Sequence, residues 1–267
     1  MAETDCMNQM GQTGNLLEVS GLHVAYGRRG VLSGLSLGIR RGEVCALLGL
    51  NGSGKSTLLR AALGLMPAQG TVLACGQDVR AMDTRTRAAM MGYIPQRSRL
   101  DDGITALDAV LMGANASMPL LAGYSRAQKE RALHCLERLG AAQLAGQMMG
   151  TLSQGQRQLV IFARAMMQQP KILLLDEPDS ALDLPRRTEM MAQVRALCAG
   201  DGCALCALHD ASLALTACDR VLILKDGVIA CELDMRTASL QEAEAAMRLL
   251  YGSAQVLRAG EKWAVVG

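Results

Sequence analysis

The sequence predicts an α/β fold built around a parallel sheet. Three short apolar runs carry that prediction. Val44 to Leu48 leads into Gly49, residues 172–175 lead into Asp176-Glu177-Pro178, and residues 203–208 lead into His209-Asp210. Their apolarity is continuous rather than alternating, the pattern of strands buried on both faces. Helical patterns separate them, as in βαβ units. All three runs place their reactive residues at the carboxyl end, where open α/β sheets bind ligands.

Composition is consistent with this. The chain has 267 residues, with 50% apolar and 19% charged, enough for one large domain with a sizeable core. A formal net charge of +2 argues against a broad nucleic-acid surface. No run approaches 18 consecutive apolar residues, so no membrane-spanning helix is expected. Residues 1–14 lack an apolar core and are expected to form a flexible tail rather than a signal peptide. The nine cysteines are scattered. Cys203 and Cys206 form a CxxC with His209 nearby, but a second pair is missing. They read as small apolar residues of a buried strand, in a reducing compartment. With 17 methionines against a 2% aromatic content, methionine is expected as core filler.

The first run carries the most specific motif. Gly49-Leu50-Asn51-Gly52-Ser53-Gly54-Lys55-Ser56 fits G-x-x-x-x-G-K-[ST], followed by Thr57 and an apolar helical stretch to Leu65. Glycines let backbone N–H groups curl around phosphate oxygens, and the helix N-terminus adds partial positive charge. Lys55 is placed to reach the β- and γ-phosphates, and the Ser56 hydroxyl to ligate Mg²⁺. Asp176 is the expected carboxylate on the Mg²⁺ side. Glu177, one residue beyond the strand, is placed to accept a proton from an attacking water. An ordinary acidic turn before Pro178 is the alternative. His209 can reach a γ-phosphate as a charge or hydrogen-bond donor.

Taken together these residues resemble the nucleotide-binding subunit of ABC transporters over nearly the whole chain. Tyr26, in Val24-Ala25-Tyr26-Gly27, looks like the aromatic that stacks on adenine. Gln96, in Tyr93-Ile94-Pro95-Gln96, looks like the Q-loop glutamine that touches Mg²⁺ or its water. Leu152-Ser153-Gln154-Gly155-Gln156 is similar to the signature motif, although the family usually has glycine where this chain has Gln154. Ser180-Ala181-Leu182-Asp183 looks like the D-loop, and His209 looks like the switch histidine.

The resemblance implies a P-loop NTPase fold: a RecA-like mixed-sheet core with an antiparallel β subdomain and an α-helical insertion. The ATPase domain would span residues 15–252, the helical subdomain about 97–152, and a short extension 253–267. Implied cofactors are ATP and Mg²⁺. Two copies would sandwich two nucleotides, each between residues 49–57 of one chain and Ser153, Gly155 and Gln156 of the other, with Asp183 nearby. Implied partners are polytopic permease subunits and an extracytoplasmic substrate-binding protein, at the cytoplasmic face of the membrane. Asp108 to Gly113, Ala181 to Leu184, Leu208-His209-Asp210 and Leu250-Tyr251-Gly252 are similar to importers of iron–siderophore, haem and cobalamin, with zinc or manganese importers close behind. An export ATPase shares every catalytic residue; a non-transport role in translation or repair usually goes with two fused cassettes or a long coiled-coil insertion, and this chain shows neither. A small-molecule kinase would leave residues 153–156 and His209 unexplained.

Local patterns complete the expectation. Ser153 and Gln156 fit a capping box. Residues 126–139 read as an amphipathic helix burying Ala132, Leu133, Leu136 and Leu139, and residues 106–113 as another helix. Residues 35–39, 40–45 and 70–75 fit an antiparallel layer. Residues 221–224 and 228–231, around Asp226-Gly227, read as a hairpin. A helix from about Ser239 and a terminal strand pair close the chain.

Overall fold

The computed structural model describes residues 14–96, 100–119 and 122–266. Most of the expected tail, the first residues of the expected helical insertion (97–99) and Gly267 lie outside them.

Period-two alternation divides the central strands between two cores. In β3 (Val44–Leu48), Val44, Ala46 and Leu48 join one buried cluster, and Cys45 and Leu47 the other. In β7 (Ile172–Asp176), Leu173 and Leu175 face one way, Ile172 and Leu174 the other. Side chains alternate across a strand, so continuous apolarity means burial on both faces. β8 (Cys203–Ala207) follows the same rule, and Cys203 and Cys206 are buried. Burial pushes both thiols well up, as expected of packing residues.

These strands lie in a six-stranded sheet of order β10-β9-β3-β8-β7-β6, with β6 (Met91–Ile94), β9 (Arg220–Lys225) and β10 (Val228–Asp234). All neighbours are parallel except β9 and β10, a hairpin turned at Asp226 and Gly227, both at positive φ. A four-stranded antiparallel sheet, order β2-β1-β4-β5, covers one core. Its strands are β1 (Asn15–Tyr26), β2 (Arg29–Arg40), β4 (Gln69–Ala74) and β5 (Gln77–Asp78).

The antiparallel layer differs from expectation at residues 40–45. β2 ends at Arg40, Gly42 turns the chain at φ 75°, and Cys45 pairs with Leu205 and Arg220 in the parallel sheet. The stretch therefore crosses between sheets. Glu43 fastens the turn by accepting from the Arg40 N–H at 2.7 Å.

The helices are α1 (Lys55–Ala62), α2 (Thr84–Met90), α3 (Ala106–Leu111), α4 (Arg126–Glu137), α5 (Gln154–Gln168), α6 (Leu184–Cys198), α7 (Ala211–Ala217) and α8 (Leu240–Tyr251). α3 stops at Leu111 and continues as a 3₁₀ stretch, Met112–Ser117. α4 buries Ala132 and Leu136 as expected, with Cys135, while Leu133 is exposed. α5 begins at Ser153 with both bonds of the capping box present, and ends at Gln169 in left-handed geometry before Pro170. The terminal pair, β11 (Gln255–Ala259) and β12 (Lys262–Val266), is an antiparallel hairpin packed by Val256 and Trp263 into the core that holds Val44, Ala46 and Leu48.

A phosphate loop facing a buried glutamate

Residues 49–54 link β3 to α1, and the turn requires glycine at two points. A Cβ at Gly49 would lie 2.7 Å from the Leu224 carbonyl oxygen. Gly54, at φ 106°, starts α1 without a side-chain cap, and no acidic residue occupies the first turn. The first N–H groups of α1 are left for an external acceptor. Ser53 Oγ is buried in the same loop with no hydrogen-bond partner. Uncapped donors, an orphaned hydroxyl and a lysine make a donor set that fits a polyphosphate.

Lys55 is 5% exposed. Its Nζ donates to the Gly49 carbonyl at 2.8 Å and the Leu50 carbonyl at 3.4 Å. Burial lowers its pKa, against the pull of Glu177 and Asp176. Ser56 donates to Asp176 Oδ1 at 2.9 Å, and the Tyr93 hydroxyl to Asp176 Oδ2 at 3.2 Å. Burial pushes the Asp176 carboxyl above its usual range, although both hydrogen bonds and Lys55 pull it down. The oxygens of Ser56, Asp176 and Gln96 are the hard ligands that Mg²⁺ selects.

Glu177 gathers the rest. It is 7% exposed and sits at φ 51°, a left-handed geometry uncommon outside glycine. Its N–H donates to the Ala207 carbonyl at 2.9 Å, tying β7 to β8. His209 Nε2 lies 2.8 Å from Glu177 Oε1. Gln96 Nε2 donates to Glu177 Oε2, and Lys55 Nζ lies 3.9 Å from Oε1. Three residues from three separate segments of the chain thus meet on one carboxylate. Tyr26, half exposed at the end of β1, lines a cavity of about 440 Å³ with Arg29, Asn51, Lys55, Thr57 and Glu177.

Residues 153–156 lie elsewhere and do not line that cavity. Ser153 Oγ accepts from the Gln156 N–H at 3.3 Å, and Gln156 Oε1 from the Ser153 N–H at 2.9 Å. Gln154 is exposed. Asp183 caps α6, accepting from the Arg186 N–H at 3.1 Å. Two contacts escaped the sequence reading. Tyr93 was legible only as a neighbour of Gln96, yet it holds Asp176. A Cβ at Gly155 would lie 2.8 Å from the Ala181 carbonyl oxygen, so this glycine also lets α5 approach residues 180–183.

This geometry meets its counterpart among known proteins. The ABC transporter family model matches residues 32–180. An ABC transporter ATP-binding protein of Methanocaldococcus jannaschii is 37% identical over 219 residues, covering 81% of this chain and 85% of that protein. This chain belongs to the ABC transporter ATP-binding family. It is an ATPase that uses ATP and Mg²⁺.

The phosphonates import ATP-binding protein of Escherichia coli O157:H7 is 38% identical over 223 residues, covering 78% of this chain and 85% of that one. Among solved structures, a dimeric ATP-binding cassette bound to ADP and Pi superposes with a TM-score of 0.75 at 28% identity, over 83% of this chain and 100% of that one. A metal-chelate type ABC transporter in an inward-facing conformation gives 0.76 at 25%, over 94% and 96%. Among the described residues, no helix is long and apolar enough to cross a membrane.

Proposed function

We propose that this chain powers import through membrane subunits at the cytoplasmic face, and that two copies close around two ATP molecules. The convergence of Lys55, Gln96 and His209 on Glu177, beside a loop of open N–H donors, is the observation that supports the hydrolytic site.

In this reading the N–H groups of residues 49–57 bind the phosphates and Tyr26 stacks on the base. Lys55 exchanges its carbonyl partners for phosphate oxygens. Ser56, Asp176 and Gln96 would hold Mg²⁺, which would supply positive charge to the phosphates. Glu177 accepts the proton of the attacking water, and the His209 imidazole and Gln96 amide orient its carboxylate. Positioning and charge stabilisation dominate phosphoryl transfer, so the fixed geometry of these groups is the chain's main contribution.

The second half of each site comes from Ser153, Gly155 and Gln156 of the other copy, with Asp183 beside them. Residues 153–156 do not line the cavity of their own phosphate loop, and in this reading the positive end of α5 meets a partner's nucleotide. The dimeric cassette bound to ADP and Pi supports this arrangement.

Import is supported by relatives named for phosphonates import. For the cargo, the motifs around Asp108, Ala181 and Leu250 favour an iron chelate, haem or cobalamin, while the curated relatives favour a phosphonate. An extracytoplasmic binding protein would deliver it. Capture of the chain from solubilised membranes should recover a polytopic permease; recovery of none would count against transport. Binding of iron chelates and phosphonates to the co-captured binding protein then decides between the two cargo classes.

A further inference from the structure

The C-terminal hairpin is fastened to the helix that follows His209. β12 turns two backbone N–H groups toward α7. Trp263 N–H donates to Thr216 Oγ1 at 3.0 Å, and Val265 N–H donates to Ser212 Oγ at 3.0 Å. The Thr216 hydroxyl reaches back to the Trp263 carbonyl at 3.4 Å. Ser212 and Thr216 are four apart on one face of α7, and Trp263 and Val265 share one side of β12. The hairpin's other strand is held by α8, where Glu244 Oε2 accepts from the Val256 N–H at 3.2 Å. Arg248 Nε donates to the Ala254 carbonyl at 3.2 Å.

The same segment borders the catalytic centre. A cavity of about 420 Å³ is lined by His209, Asp210, Ser212, Tyr251, Ala254 and Val265. Asp210 caps α7 by accepting from the Leu213 N–H at 3.0 Å, and its other oxygen lies 3.5 Å from Arg187 Nη1. α7 has seven residues, too short to hold its own shape or angle. Burial of Ala211, Leu213, Ala214 and Leu215 sets which face of α7 turns inward. The hydroxyl bonds to β12 add directional contacts from the helix's other side chains.

We propose that Ser212 and Thr216 are positioning residues for hydrolysis: by tying α7 to the C-terminal hairpin they hold His209 at Glu177. This rests on the catalytic reading of His209 above. A misplacement of about 1 Å in a catalytic group can cost up to about a hundredfold in rate, so loss of the tether should register in turnover rather than in nucleotide binding.

The test is ATPase kinetics of the purified full chain. Ser212→Ala combined with Thr216→Val should lower kcat about threefold to tenfold and leave the KM for ATP within about twofold. Thr216→Ser, which keeps the hydroxyl, and Leu257→Ser, on the exposed side of the hairpin, should stay near wild type. In a His209→Ala background the paired substitution should cause no further loss. Unchanged kcat in the paired variant, or the same fold-loss in both backgrounds, would overturn the proposal. Wild-type turnover by His209→Ala itself would instead overturn the reading of the site, and this inference with it. Ser212→Ala alone carries the same comparison if the paired variant does not fold.

Discussion

Glu177 occupies a left-handed backbone position that a non-glycine residue enters at a cost, and it is buried among three polar partners. Such geometry persists where surrounding structure over-determines it. As the proposed base, Glu177 should be separable from nucleotide binding. Glu177→Gln is expected to keep ATP affinity within a few-fold and to lose turnover by about 10² or more, checked by calorimetry and phosphate release. Lys55→Ala should instead weaken nucleotide binding, and unchanged affinity would refute its phosphate role. Asp176 gives a prediction about stability. Burial raises its carboxyl pKa in the fold, so the folded state loses stability as pH climbs from the ordinary value of 3.8, and the whole deficit is present above the raised value. Asp176→Asn should therefore raise the Tm of the nucleotide-free chain at pH 7. The gain should shrink toward pH 4 and below, and Mg²⁺-dependent ATP affinity should fall. A lower Tm at pH 7 would show that the Ser56 and Tyr93 hydrogen bonds outweigh desolvation.

At the scale of elements, legibility followed burial. β3, β7 and β8 were readable because both faces are buried, and the β9–β10 turn because Asp226-Gly227 suits positive φ. The α5 start was readable because a capping box is local, confined to Ser153 and Gln156. Residues 40–45 were misplaced because their pattern does not encode the sheet change at Gly42. Leu133 was misplaced because helical period alone does not say how wide the buried stripe of α4 is, and Cys135 takes the buried place. The Tyr93–Asp176 bond and the Gly155–Ala181 approach escaped notice because they join residues far apart in sequence, whose proximity only packing decides. Two substitutions probe the α5 end. Ser153→Ala removes the cap and should cost about 1 kcal/mol in denaturant unfolding. Gln154 is exposed, so Gln154→Gly should leave ATPase activity within a few-fold, at a stability cost of no more than ~1 kcal/mol. A many-fold rise in activity would mean that Gln154 crowds the closed dimer.

For the whole molecule, the central claim is that one chain holds two non-adjacent halves of two sites. The phosphate loop, Glu177 and His209 converge, whereas Ser153, Gly155 and Gln156 do not line that cavity, and their helix end is closed only by its own capping box. A monomer can bind ATP on this account, and only a pair can enclose it. Light scattering of Glu177→Gln with ATP and Mg²⁺ tests this most directly. The mass should double on adding nucleotide, and adding Ser153→Arg should return it to that of one chain while ATP still binds. A Glu177→Gln chain that stays monomeric at saturating ATP, or a dimer indifferent to Ser153→Arg, would contradict the two-chain site.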